Sequence, residues 1–97
     1  MKNLITAAII AMTATAAQAD TASDFAECVA GRIAAENGLT LEAARASFPD
    51  VTRNAEINFA MMASVYLKLP TSVKPQGVAI MVTEVPQSAT CLHTLDR

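Results

Sequence analysis

The stretch that decides the fold runs from Thr52 to Leu69 and reads TRNAEINFAMMASVYLKL. Apolar residues recur in it at spacings of three and four, which is the repeat of one face of an α-helix. That face is formed by Ala55, Phe59, Met62, Tyr66 and Leu69. Ile57, Met61 and Val65 widen it. We therefore expect this helix either to be the central helix of a bundle or to have a second face covered by another chain.

A chain this short has few neighbouring elements with which to cover such a helix. The pattern therefore predicts contact with a protein partner, and a homodimer is one form of that contact. The candidate interface is the face of Phe59, Met62 and Tyr66.

Upstream of this stretch, the segment from Thr21 to Asn37 also has helical periodicity. Its apolar face is formed by Phe25, Val29 and Ile33, which follow one another at intervals of four. The pair Asn37-Gly38 is typical of a helix that ends with a residue in the left-handed conformation. The segment therefore predicts a first helix that ends near Asn37.

A short second helix is predicted directly after it. Thr40 is a typical N-cap residue, and Leu41, Ala44 and Phe48 are spaced to share one face of the helix that it caps. Pro49 is expected to end that helix.

Downstream, Pro70 closes the long helix and Pro75 suits the first turn of a further segment. The residues of that segment from Val78 to Val85 fit a helix, but their β-branched content also fits a strand. Helix is favoured, since a single strand without a partner strand leaves its backbone groups unpaired. A tail from Gln87 then returns Cys91 to the first helix.

The two cysteines, Cys28 and Cys91, predict a single disulfide. Closing a loop of about 64 residues stabilises the folded state by ~4 kcal/mol in the chain-entropy estimate. A redox-active pair is the alternative, but these cysteines lack the Cys-x-x-Cys spacing that lowers a thiol pKa. The expected fold is all-α, a small bundle of about four helices closed by one disulfide.

The amino end predicts export. Lys2 is followed by an uncharged, mostly apolar run from Leu4 to Ala17, and Ala17-Gln18-Ala19 has the small residues of a signal-peptidase site. The run is too short for the ~20 residues that span a bilayer, so no stable membrane anchor is expected. Residues 1–19 are thus predicted to be a cleaved signal peptide and residues 20–97 one helical domain, and the predicted location is the periplasm.

Composition and motifs argue against several functions. Without Lys2 the formal charge falls from −2 to about −3, and no cluster of Lys or Arg is present to bind nucleic acid. His93 is the only histidine and is expected in a solvated tail. No catalytic, cofactor-binding or metal-binding residues are assigned, and we expect no enzyme and no cofactor.

Two further residue groups have simple interpretations. The methionines Met61, Met62 and Met81 could hold copper(I), but their spacing matches the apolar faces and favours core packing. Four glutamates spread over three segments are typical of a solvated charged face rather than of an acid–base pair. They are Glu27, Glu36, Glu42 and Glu56.

Several short motifs resemble one known family. They are Cys28-Val29-Ala30-Gly31, then Pro49-Asp50-Val51-Thr52, then Tyr66-Leu67-Lys68-Leu69-Pro70, and an apolar helix that runs into Pro86 and Cys91. In this the chain resembles the Rap/Tai group of periplasmic immunity proteins of type VI secretion. The resemblance implies a small helical protein that binds a cell-wall amidase toxin and blocks its active-site cleft without catalysis.

Two other functions fit the same features. An acid-stress chaperone of the HdeA type is also a small periplasmic helical protein with one disulfide. Such chaperones are rich in lysine, however, whereas this chain has only Lys68 and Lys74 after the expected signal peptide. A docking subunit that places its apolar helix on a larger envelope complex is the other alternative.

Overall fold

The computed structural model describes residues 20–96. The expected signal peptide, residues 1–19, lies outside the described residues, as does Arg97. The described chain is helical and contains no strand, which confirms the all-α fold. The segment that fitted helix or strand is helical from Val78 to Glu84, and Val85 lies just outside the helix. Four α-helices and two 3-10 segments make up this part of the chain.

The first helix, α1, occupies residues 20–36 of the described chain. It ends as its sequence predicts, because Gly38 has a φ of 75°, a left-handed conformation that glycine adopts without strain. The amide of Gly38 donates to the carbonyl of Ala35 at 3.0 Å, and the amide of Leu39 donates to that of Ala34 at 2.9 Å. These two bonds form the Schellman motif that closes the last turn.

The second helix, α2, is Leu41–Ser47, and Thr40 caps it by accepting a hydrogen bond from the Ala43 amide at 3.1 Å. Ala44 is its buried residue. Phe48, which the sequence places on the same face, is 55% exposed and is therefore not buried with Ala44. Phe48 lies just outside the helix with φ −134° and ψ 65°, which takes it off the helical repeat.

The third helix, α3, is Pro49–Lys68, so it begins three residues before the expected Thr52. Proline suits the first turn of a helix, because the amide hydrogen that it lacks has no partner there. Pro49 therefore starts α3 as well as ending α2. The buried Thr52 hydroxyl donates to the carbonyl of Ala44 at 3.1 Å and joins the two helices.

A short 3-10 turn, Thr71–Val73, leads into the fourth helix, α4, which is Lys74–Glu84. The ammonium group of Lys74 lies 4.6 Å from the centre of the Tyr66 ring and 3.5 Å from the Tyr66 carbonyl oxygen. These contacts hold the start of α4 against the end of α3.

The described part of the chain ends in an eleven-residue 3-10 segment, Pro86–Asp96, where the sequence predicts only a tail. Ser88, Cys91 and Thr94 are all buried. A 3-10 helix has three residues per turn, so this spacing places them on one side. The hydroxyl of Ser88 donates to the Val85 carbonyl at 2.6 Å, and that of Thr94 donates to the Cys91 carbonyl at 2.7 Å. Local carbonyl groups thus satisfy both buried hydroxyls.

The core lies around α1. Phe25 and Val29 of this helix are fully buried, and they cluster with residues of α3, α4 and the last 3-10 segment. The other buried members of this cluster are Ala22, Ala63, Met81, Cys91 and Leu95. Cys28 and Cys91 form the predicted disulfide, with an S–S distance of 2.06 Å. The bond fastens the end of the chain to its first helix.

Candidate binding groove

A groove with a volume of about 580 Å³ lies between the second half of α1, α2 and the first half of α3. Four alanines leave room for it: Ala30, Ala34, Ala44 and Ala55. Larger apolar side chains complete its walls: Ile33, Leu39 and Phe59. The volume falls in the range of about 300–1,000 Å³ that is usual for ligand-binding pockets.

The polar residues that line this groove are uncharged, and two of them are bonded within the protein. The Thr52 hydroxyl donates to the Ala44 carbonyl, and the Asn37 side-chain amide donates to the Ile33 carbonyl at 2.8 Å. Ser47 is the third polar lining residue. No Asp, Glu, Lys or Arg of the described chain lines the groove. It is therefore suited to an apolar, uncharged occupant, since a buried charge would find no partner there.

Phe48 and Val51 form the rim of the groove, and both are strongly exposed, at 55% and 69%. Phe48 owes its position to the junction between α2 and α3, where Pro49 starts a new helix directly. Aromatic side chains, phenylalanine included, are enriched in the interfaces between proteins. The rim thus offers large apolar side chains for a partner to cover.

Charged groups lie elsewhere around these helices. The Arg45 guanidinium on α2 is 2.9 Å from a carboxylate oxygen of Glu56 on α3 and 3.8 Å from one of Glu27 on α1. The hydrogen bond to Glu56 and the nearby carboxylates raise the pKa of Arg45, so this side chain stays charged at physiological pH. It links the three helices that form the groove. Exposed ion pairs of this kind contribute little stability.

The structure places the sequence-predicted interface residues on the inner side of α3. Phe59, Met62 and Tyr66 are partly buried and pack against the core. One face of the Tyr66 ring is also close to the Lys74 ammonium. These three residues therefore have less free surface than the exposed apolar residues of the same helix.

The largest exposed apolar side chains of α3 are Val51, Ile57, Met61 and Val65. Sequence periodicity places the last three at the edge of the apolar face. Met61 is 62% exposed, so the expectation of core packing is wrong for this methionine. Met81 is buried and Met62 packs against the core, as expected.

The described residues contain no group of three or more His, Cys, Asp and Glu side chains that could hold a metal ion. His93 is exposed, as expected, but it belongs to the last 3-10 segment rather than to a tail without structure. None of the helices in residues 20–96 is long and apolar enough to cross a membrane.

Sequence reasoning missed the groove itself. Its local signals are the Thr40 cap and Pro49, which in the sequence indicate only helix boundaries. No residue pattern in the sequence indicates that α2 packs beside both α1 and α3.

Comparison with known proteins yields no similarity on which to base a function: no family model, curated protein or solved structure matches the chain. The geometry of the groove and the sequence motifs are therefore the two grounds for assigning a function.

Proposed function

We propose that this chain is a small exported binding protein without enzymatic activity, and that its groove takes up an apolar segment of a protein partner. The observation that carries this proposal is the uncharged groove of about 580 Å³ with Phe48 and Val51 exposed at its rim. Covering these side chains removes apolar surface from water, which favours association. An amphipathic helix or an apolar loop of the partner fits such a groove.

The proposed location is the periplasm. The disulfide between Cys28 and Cys91 supports it, because such bonds persist in oxidising compartments. The signal-peptide pattern in residues 1–19 supports export across a membrane.

The proposed partner is a cell-wall amidase, and the proposed role is immunity to that toxin. The support comes from the motif resemblance and from the rigidity of the helices around the groove, which suits an inhibitor. Gly38, the Thr40 cap and the hydrogen bond from Thr52 to the Ala44 carbonyl fix the helices around the groove, so little ordering remains to oppose binding. For the protein to block the active-site cleft, as the resemblance implies, the toxin segment that the groove takes up must border that cleft.

The test uses three tagged versions of the protein, each expressed from the full chain and purified after export with its disulfide intact. They are the wild type, Phe48→Ser and Ile80→Ser. Ile80 is a matched control because it is 60% exposed on α4 and does not line the groove. Each is incubated with an envelope extract of the native organism and of strains that carry amidase toxins, and bound proteins are identified by mass spectrometry.

We expect the wild type and Ile80→Ser to retain an amidase in near-equal amount, and Phe48→Ser to retain at least about tenfold less. One equivalent of wild-type protein should also stop that amidase from cleaving purified cell wall. Recovery of as much amidase by Phe48→Ser as by the wild type would show that the groove is not the binding site.

Failure to recover or inhibit any amidase would overturn the immunity role. Recovery of a constitutive envelope complex would instead favour the docking subunit. Suppression of client aggregation at acid pH, without a stable partner, would favour the chaperone.

A further inference from the structure

The outer face of α3 carries a regular seam. Val51, Asn54, Asn58, Met61 and Val65 are spaced by three, four, three and four residues, and all five are exposed. This is the spacing of the positions through which one helix packs along another in a coiled coil. No helix of the described chain covers this face. We call these five residues the α3 seam.

Opposite charges stand at the two ends of the seam. Asp50 lies in the first turn of α3 and Lys68 lies in the last. They are eighteen residues apart, which is five turns, so they project from the same side of the helix. Both side chains are exposed. A second α3 helix laid antiparallel along the seam would therefore meet an opposite charge at each end.

We propose that the α3 seam binds a second copy of this chain, with the two α3 helices antiparallel. With Asn58 at the two-fold axis, Val51 lies opposite the partner's Val65. Asp50 then lies two residues, about 3 Å along the helix axis, from the level of the partner's Lys68, a distance that the long lysine side chain can span. Each of these contacts occurs twice because of the symmetry. A parallel pair is disfavoured, because it places Asp50 beside the partner's Asp50.

Asn58 has a special place in this arrangement. An asparagine amide has both donor and acceptor groups, so the two Asn58 side chains at the axis complement each other. A polar residue at one seam position fixes the register of paired helices at some cost in stability. The seam thus specifies alignment more than it provides affinity.

The size of the seam sets the strength of the dimer. From Asp50 to Lys68 it is about 27 Å long, and a strip about 10 Å wide gives a footprint on the order of 300 Å². A standard interface buries about 800 Å² per partner. We therefore expect a weak, reversible dimer with a dissociation constant on the order of 100 µM. This proposal does not rest on the proposed function: it names a different partner, and of the five seam residues only Val51 also belongs to the groove rim.

The first test is sedimentation equilibrium of the exported, disulfide-closed protein from roughly 10 µM to roughly 1 mM, a range that brackets the expected dissociation constant. Met61→Glu should raise this constant at least about tenfold, because it brings like charges into the seam. Ile80→Glu is the control, since it adds the same charge at a site of similar exposure on α4. It should leave the constant unchanged.

The second test exchanges the terminal charges at low salt. Asp50→Lys should weaken the dimer about threefold to tenfold, because it sets a lysine against the partner's Lys68. Lys68→Asp should do the same. The double variant carrying both changes should recover the wild-type constant. Weakening by each single change together with recovery in the double variant is predicted only by the antiparallel arrangement. Lys68→Gln, which removes charge without reversing it, should have a smaller effect.

Far-UV circular dichroism must show that each variant remains folded, and a variant that does not is replaced by its milder form, such as Lys68→Gln or Met61→Ser. A wild-type protein that stays monomeric at about 1 mM overturns the proposal. So does a dimer that Met61→Glu leaves intact. A dimer that the double exchange fails to restore is not antiparallel, which also overturns it.

Discussion

The helices α1 and α3 differ in a way that their sequences do not suggest. The more apolar-looking α3, Pro49–Lys68, has only Thr52 and Ala63 buried among its 20 residues. In residues 20–36 of α1, six residues are buried: Ala22, Phe25, Ala26, Val29, Ala30 and Ala34. The apolar content of a helix therefore predicts that it forms, whereas its place among its neighbours decides how much of it is buried.

Small residues explain why α1 takes the central place. Four of its six buried residues are alanines, which allow other parts of the chain to approach closely. The disulfide then fastens the last 3-10 segment to the same helix. Since α1 occupies the centre, α3 has one face on the core and the other free. The free face and the groove beside it are the surfaces to which we assign binding.

Among substitutions that test the difference between α1 and α3, Phe25→Ala in α1 is expected to lower stability most. Phe25 is fully buried, so the truncation leaves a cavity and should lower the free energy of unfolding by about 3–5 kcal/mol. Urea denaturation followed by circular dichroism measures the change. Phe25→Leu is the control and should cost less, because it retains most of the apolar volume. A loss below about 1 kcal/mol for Phe25→Ala would show that α1 is not the centre of the core.

The second-largest effect is expected from removal of the disulfide. Cys28→Ser with Cys91→Ser removes the link between α1 and the last 3-10 segment, and we expect the free energy of unfolding to fall by about 3 kcal/mol. The chain-entropy value is somewhat larger, but engineered bridges often stabilise a protein by less than that estimate. The same denaturation experiment, compared with the wild type before and after reduction, gives the value. Unchanged stability would show that the bridge does not stabilise the fold.

A smaller loss is expected at the end of α1. Gly38→Ala forces a side chain into a backbone conformation with φ of 75°, which costs about 1 kcal/mol. Gly31→Ala is the matched control, because Gly31 lies inside α1 with open space where a Cβ would stand, and alanine favours a helix. The melting temperature should therefore fall for Gly38→Ala and should not fall for Gly31→Ala. The reverse order would contradict the Schellman ending of α1.

The smallest effect is expected on the free face of α3. Met61→Ala should change the free energy of unfolding of the monomer by no more than about 0.5 kcal/mol, because this side chain is largely exposed. Dilute protein must be used for the urea titration so that self-association does not contribute. A loss of more than about 2 kcal/mol would mean that Met61 is buried, and it would remove the contrast with Phe25.

Much of the local structure could be predicted from particular residues. Gly38, Thr40 and Pro70 mark helix ends correctly, because caps and prolines act through the backbone of their immediate neighbours. Only half of the role of Pro49 was predicted, since it both ends α2 and starts α3. The 3-10 segment Pro86–Asp96 was missed, because its period of three is carried by Ser88, Cys91 and Thr94 rather than by large apolar residues.

The candidate binding surfaces were less accessible to sequence reasoning. The pattern in α3 indicates an apolar face and a wider apolar margin, but not which of them packs on the core. Phe59, Met62 and Tyr66 face inward, while Met61 and Val65 face outward. The groove could not be predicted from sequence, since its lining residues come from three separate helices that only the fold brings together.

The sequence by itself determined the helical class, most helix ends and the pairing of Cys28 with Cys91, because these depend on local backbone preferences and on the presence of only two cysteines. Only the tertiary structure decided that α1 is central, that Phe48 lies at the rim of a groove and that the α3 seam is free. These features depend on which helices cover one another. That choice is made by the packing of the whole chain, and no single segment encodes it.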